Sequence, residues 1–296
     1  MAETRIATAF TWEAPGVPMG VPMRAFVPFL ILAFLSACAA GSGDTPARRA
    51  MSIRNNIAPS DLETVELPVD GQPRINQSFA GSVPMFGRNV PLPPGSWTVI
   101  AARSVVAHGT GVLWGGIALI QRDTSGLRGV IQIGGAVHPV AAGRSTAFAC
   151  ASSDVLWNDI RESVPQGPQD CALIMFERPA LWREKNHGIE FQIINQLDAL
   201  SIQPPNIFIE AGIYEGNADT DLAVWLCLNP DLEGIAPDMS TQRARSAWTA
   251  FNYPHDPAKT RFIEKIKAEI EPLRAAMRKQ IEAPAPFVPG SGLTPA

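Results

Sequence analysis

The sequence predicts an α+β fold: an antiparallel sheet, made of a meander and a C-terminal hairpin, packed with a few helices that include a C-terminal amphipathic one. Three observations predict it. Residues 96–107, 112–122 and 127–137 are β-branched or aromatic runs separated only by turn residues, the pattern of hairpin-linked strands. Strand signals come first and helix signals later, whereas a parallel α/β sheet would alternate them. The stretch after Asp256 places Phe262, Ile266, Ile270, Leu273 and Met277 on one helical stripe.

In chain order, residues 61–95 are dense in Pro and Gly and predict extended or edge segments with turns. The three runs of the meander follow, divided by Gly109-Thr110-Gly111 and by the turn at 123–126. Residues 145–151 and 171–177 read as two further strands. A short helix is expected at 179–186, with Pro179 at its first position. Another is expected at 189–202, where Ile189, Ile193, Leu197 and Leu200 recur at helical spacing before Pro204-Pro205. Residues 206–215 and 221–228 then form a hairpin around 216–220. Asp256-Pro257 is an N-cap followed by a first-turn proline, and Pro272 is expected to kink or split the last helix. One domain over 61–282 and a disordered tail over 283–296 complete the organisation.

Composition excludes several classes. Charged residues are 18% of the 296 and the net charge is −4, with no basic block in the middle of the chain, so no nucleic-acid partner is expected. Only one strongly apolar run exists, which excludes a multi-span membrane protein.

That run is the strongest local signal. Arg24 precedes an apolar stretch over 25–35, roughly the dozen residues of a signal peptide and short of the ~20 of a spanning helix. It ends in Leu35-Ser36-Ala37-Cys38, which resembles the lipobox of bacterial lipoprotein precursors. The resemblance implies a signal peptide over 23–37, cleavage before Cys38 and acylation of that cysteine. Each buried CH₂ contributes about 0.8 kcal/mol, and stable attachment takes two or more chains. Ala39, where an aspartate would direct inner-membrane retention, implies the outer membrane rather than the inner. An uncleaved anchor, or ordinary cleavage within Ala37-Cys38-Ala39, is the plainer alternative. Residues 1–22 suit neither a signal nor a fold and read as an extension upstream of a start at Met19 or Met23. Residues 38–60, small and polar, read as a tether. The order LPPGSW, three strands, a cysteine pair and a tryptophan before the last helix loosely resembles uncharacterised proteobacterial envelope proteins, a likeness that implies no activity.

Cys150 and Cys171 flank a polar segment, and in an oxidising periplasm they are expected to pair. Cys227 lies within an apolar strand and reads as a small buried hydrophobe. No Cys/His ligand spacing occurs, so no metal or cofactor is expected. Four of the five lysines lie in the terminal helix with Arg261, Arg274 and Arg278. A solvated face offset by Glu264, Glu269 and Glu271 is the simple reading, and a membrane-surface or acidic-partner role the alternative.

The nearest catalytic signature is Gly143-Arg144-Ser145-Thr146-Ala147, a relaxed nucleophile elbow. Ser145 leads toward a strand rather than a helix, which is the wrong context. His108-Gly109-Thr110-Gly111 is read as a hairpin turn and not an oxyanion loop. Asn217-x-Asp219-x-Asp221 opens like a calcium loop, but Leu222 and Leu228 occupy the positions needing Gly and Glu, so it too reads as a turn. The expectation is therefore a lipid-anchored, periplasm-facing binding or assembly module without catalysis, with the membrane and an envelope protein or ligand as partners. The alternative is a periplasmic serine hydrolase using Ser145 with His108 or His138 as base.

Overall fold

The computed structural model describes residues 62–65, 73–85, 87–107, 113–137, 150, 155–164, 167–184, 188–217 and 220–283. These lie within one compact unit, Asp44–Ala296. Their strands are β1 (Leu62–Val65), β2 (Ser78–Phe79), β3 (Ser82–Met85), β4 (Arg88–Pro91), β5 (Trp97–Ala107), β6 (Leu113–Asp123), β7 (Gly126–Val137), β8 (Trp157–Ser163), β9 (Gln169–Glu177), β10 (Phe208–Gly216) and β11 (Thr220–Leu228). The helices are α1 (Ala180–Arg183), α2 (Ile189–Ala199) and α3 (Pro257–Glu282). The fold is α+β, as the order of signals predicts.

One sheet carries the domain. Its strand order is β1-β5-β6-β7-β11-β10-β9-β8, every neighbouring pair is antiparallel, and β2 adds to β5. The hairpin β10–β11 inserts between the meander and β9, so strands distant in sequence become central neighbours. Side chains alternate across the sheet. Ile117, Leu119, Ile131, Ile133, Ile209, Ile213, Val224 and Leu226 point to the face covered by α3. Ala118, Ile120, Val130, Phe208 and Cys227 point to the other, covered by α1 and α2 through Trp182, Ile189, Ile193 and Leu197. A bulge in β5 between Val99 and Ala101 turns Ile100 and Ala101 to the same α2 face. Gly212 has a steric reason: a Cβ there would lie 2.6 Å from the Trp225 indole.

Helix α3 starts where its cap predicts, with the Asp256 carboxylate accepting from the Ala258 and Lys259 amides. Its stripe is buried as expected. Pro272 neither splits nor ends it: the helix runs unbroken to Glu282. Pro272 and Ala268, whose carbonyl loses its partner, are both exposed, so water can take that acceptor while the opposite face stays packed. The β3–β4 hairpin packs near the helix end, where Arg88 Nη1 donates to the Ala283 carbonyl at 3.3 Å.

Other expectations needed correction. Helix α1 is shorter than 179–186, and α2 stops at Ala199 because Ser201 adopts a positive φ of 55°. Cys150 is helical, not part of a strand; the rest of the strand expected from 145 to 151 lies outside the described residues. Strand β8 lies in the polar segment between Cys150 and Cys171, where the sequence pattern predicts no strand. The tail at 283–296 lies outside the described residues beyond Ala283.

Candidate functional site

Two groups of buried polar side chains stand out, one on each face of the sheet. On the α3 face, the β9–β10 register sets Asp170 directly opposite Glu215. Helix α3 brings Arg274 and Arg278, one turn apart, over this pair. Arg274 is 1% exposed. Its guanidinium donates to Asp170 Oδ1, and at 2.7 Å to Asp159 Oδ2 of β8. Arg278 Nη1 donates to Asp170 Oδ2 at 2.7 Å and Nη2 to Glu162 Oε2 at 2.6 Å. Both oxygens of Asp170 are thus held by guanidiniums, and three strands are tied to one helix.

Glu215 is the odd member. Burial, the neighbouring Asp170 charge and a side-chain hydrogen bond with Asp170 push its carboxyl up to about 9, against the opposing pull of Arg274 and Arg278. The nearest approach of Arg274 to it is 3.9 Å, from Nε to Oε1. At neutral pH Glu215 is therefore protonated and shares its proton with Asp170. Such a pair can in principle move protons, but here the acids and Arg274 are enclosed. The cluster acts as a clamp on α3.

The clamp has a pH signature. Because the folded pKa is raised above 4.5, Glu215's contribution is fully present below pH 4.5. It declines as pH rises toward about 9, since only the unfolded chain releases the proton in that window. The slope approaches about 1.4 kcal/mol per pH unit. Glu215→Gln keeps the shape and can still donate to Asp170. Urea titrations at pH 5 and pH 8 are expected to show a stability gain for the variant that is larger at pH 8. An equal effect at both values would contradict the protonated assignment.

On the α2 face the second group lies between two apolar clusters. Gln132 and Trp225 are cross-strand partners, 2% and 0% exposed. Among the described residues, Gln132 Oε1 has no hydrogen-bond donor and Trp225 Nε1 no acceptor. One row away, Cys227 Sγ donates to Glu210 Oε2 at 3.4 Å. Cys227 is fully buried, as its apolar strand predicts, although it has this polar partner. Trp225 meets Tyr214 edge-on, with centroids 5.2 Å apart.

The cysteine pair is bridged: Cys150 and Cys171 form a disulfide with Cα atoms 6.4 Å apart, buried beside Leu173, Tyr214 and Trp225. With 21 residues of separation, the bridge is expected to add about 3 kcal/mol by loop entropy. Chemical denaturation with and without a reductant measures this; an unchanged midpoint on full reduction would refute it.

Of the other residues singled out in the sequence, Cys38, His108, His138 and Ser145 lie outside the described residues. The 217–221 segment is a hairpin turn: Asn217 Oδ1 accepts from the Thr220 amide at 2.9 Å, while Asp219 lies outside the described residues. On the exposed side of α3, Lys265 pairs with Glu233 and Lys267 with Glu264, but Lys259 and Arg274 are buried, so the expected solvated face does not extend to them. A surface groove of about 480 Å³ borders Gly95, Gln121, Arg122 and Arg128; Arg128 is tied to Asp123 at 2.9 Å.

Among the described residues no group of three or more His, Cys, Asp or Glu is placed to hold a metal ion, and no helix is long and apolar enough to cross a membrane. Sequence reading missed Asp170, Glu215 and Arg274 on one face and Gln132 on the other. A signal existed for two of them: Arg274 follows Leu273 on the buried stripe, and Gln132 stands between Ile131 and Ile133 inside an apolar run. No family model, no curated protein and no solved structure matches this chain.

Proposed function

We propose that this chain is a lipid-anchored protein of the bacterial cell envelope, facing the periplasm from the outer membrane, with a body that serves as a binding or assembly module. The observation that carries the reading is Leu35-Ser36-Ala37-Cys38 at the end of an apolar run of signal-peptide length. The Cys150–Cys171 disulfide supports it, because such bridges persist in oxidising compartments. The partner is an envelope protein or a small envelope ligand, and the acyl chains on Cys38 hold the body near it.

Only a thiol can form the thioether to the lipid. Cys38→Ser is therefore expected to move the protein out of the detergent-extractable membrane fraction, or to leave it as unprocessed precursor. Fractionation with immunodetection reads this. A Cys38→Ser protein that is processed and membrane-bound like the wild type would overturn the proposal.

A further inference from the structure

The connection between β11 and α3, residues 229–256, is long, and its only regular structure is three single-turn 3₁₀ segments at Pro230–Glu233, Arg243–Arg245 and Tyr253–His255. Connections of that length are uncommon in a compact domain and usually carry a function. This one is held in place. Asp238 accepts from the Ser246 hydroxyl and, at 2.7 Å, from the Ala247 amide. Trp248, 1% exposed, meets Phe262 of α3 edge-on.

The segment crosses three strand ends in turn. Met239 Sδ accepts from Asn206, just before β10. The Thr241 carbonyl accepts from Arg178, just after β9. The Tyr253 hydroxyl donates at 3.2 Å to the Leu156 carbonyl, just before β8. These strands are neighbours in the sheet, about 5 Å apart. Along the crossing lie the two most exposed large apolar side chains among the described residues, Met239 at 75% and Phe251 at 79%. Covering such a side chain fully is worth about 1.5–3 kcal/mol.

Charge on the crossing has one sign outward. Half-buried Arg178 and exposed Arg245 have no ion-pair partner among the described residues. The acids of the crossing are occupied within the fold: Asp238 holds Ser246 and Ala247, and Asp256 caps α3 and pairs with Lys259.

The place of this surface in the fold bears on its occupant. Leu62 of β1 pairs with Ala107, the last residue of β5, so the chain that leads from Cys38 joins the sheet at that end. The register runs Thr98–Ile120–Val130–Cys227–Glu210–Met175 from the start of β5 to the end of β9. Met239 and Phe251 therefore stand at the opposite end of the sheet, about 30 Å away at about 3.3 Å per strand residue.

We infer that this end of the sheet docks an apolar, carboxylate-bearing segment of an envelope protein. Phe251 and Met239 supply the area to be covered, and Arg178 and Arg245 the charge pairing. Aromatic and arginine side chains are those on which binding energy concentrates, and a guanidinium with no internal carboxylate takes an external one. On the lipid-anchored reading the anchor pulls on the other end of the sheet, which favours a protein over the membrane as occupant. The inference deepens the reading of the body as a binding module and rests on it.

The test selects a random dodecapeptide library on the full-length protein in detergent and measures the recovered peptides by fluorescence anisotropy. Peptides carrying two or more carboxylates beside a large apolar side chain are expected, with affinity falling as salt rises. Phe251→Ser and Arg245→Glu are each expected to weaken binding at least about tenfold at an unchanged thermal midpoint, since both side chains are exposed. Ile160→Ser, exposed on β8, is expected to leave binding unchanged. Recovered peptides without carboxylates, or saturable binding indifferent to Phe251→Ser and Arg245→Glu, would overturn this surface and leave the binding-module reading standing. No saturable binding at all would overturn both. Two further results would also overturn it by assigning another occupant. One is a blue shift of a solvatochromic label on the Phe251→Cys protein in phosphatidylethanolamine–phosphatidylglycerol vesicles, which makes it a membrane contact. The other is self-association in sedimentation velocity that Phe251→Ser abolishes, which makes it a second copy of this chain.

Discussion

Arg274→Ala is expected to destabilise the protein by about 3–5 kcal/mol, a large share of a domain's total stability. The change leaves Asp170 buried with only Arg278 beside it, and deprives Asp159 of its partner on α3. Attraction across such a cluster is offset by desolvation, so the loss comes mainly from the stranded charge and not from the bond itself. The double change Arg274→Met with Asp170→Asn removes both charges and is expected to recover part of the loss. Urea denaturation of the three proteins decides it. A single-variant loss under about 1 kcal/mol, the range of an exposed pair, would show that the clamp is not buried in solution.

Ile266→Asp is expected to prevent folding, with a cost beyond about 4 kcal/mol. Ile266 is fully buried against the sheet, between Phe262 and Ile270 on the same stripe. Ile266 packs within an apolar cluster of described residues, so the new carboxylate would be enclosed among hydrocarbon side chains. Truncation after Asn252 removes the whole stripe and both clamp arginines and is expected to give insoluble or proteolysed material. A truncated chain with an unchanged thermal midpoint would instead make α3 a partner-facing element.

Much of the sheet was legible because its strands announce themselves locally. The runs at β5, β6 and β7 are long, β-branched and bounded by turn residues, and Asp256-Pro257 marks the start of α3 to the residue. Strand β8 was not legible. Its sequence WNDIRES has no apolar alternation, because it is an edge strand whose Asp159 and Glu162 face the arginines of α3. Pro272 misled for a related reason: a propensity rule ignores which side of the helix meets water. The clamp joins residues about a hundred positions apart, so no window of sequence contains it. Arg274 on an otherwise apolar stripe was the one local hint. The same holds on the α2 face, where Gln132 was visible as a polar residue in an apolar run, but its pairing with Trp225 follows only from the insertion of β10–β11 beside β7.

The address and the body are separable claims, and the address is the one on which the functional reading rests. Mass spectrometry of the N-terminal peptide, from protein purified out of bacterial membranes, tests it most directly. The expected result is a mature chain that begins at Cys38 and carries the added mass of a diacylglyceryl group, with or without a further acyl chain. An unmodified Cys38, or a mature chain that still begins upstream of it, would contradict the account.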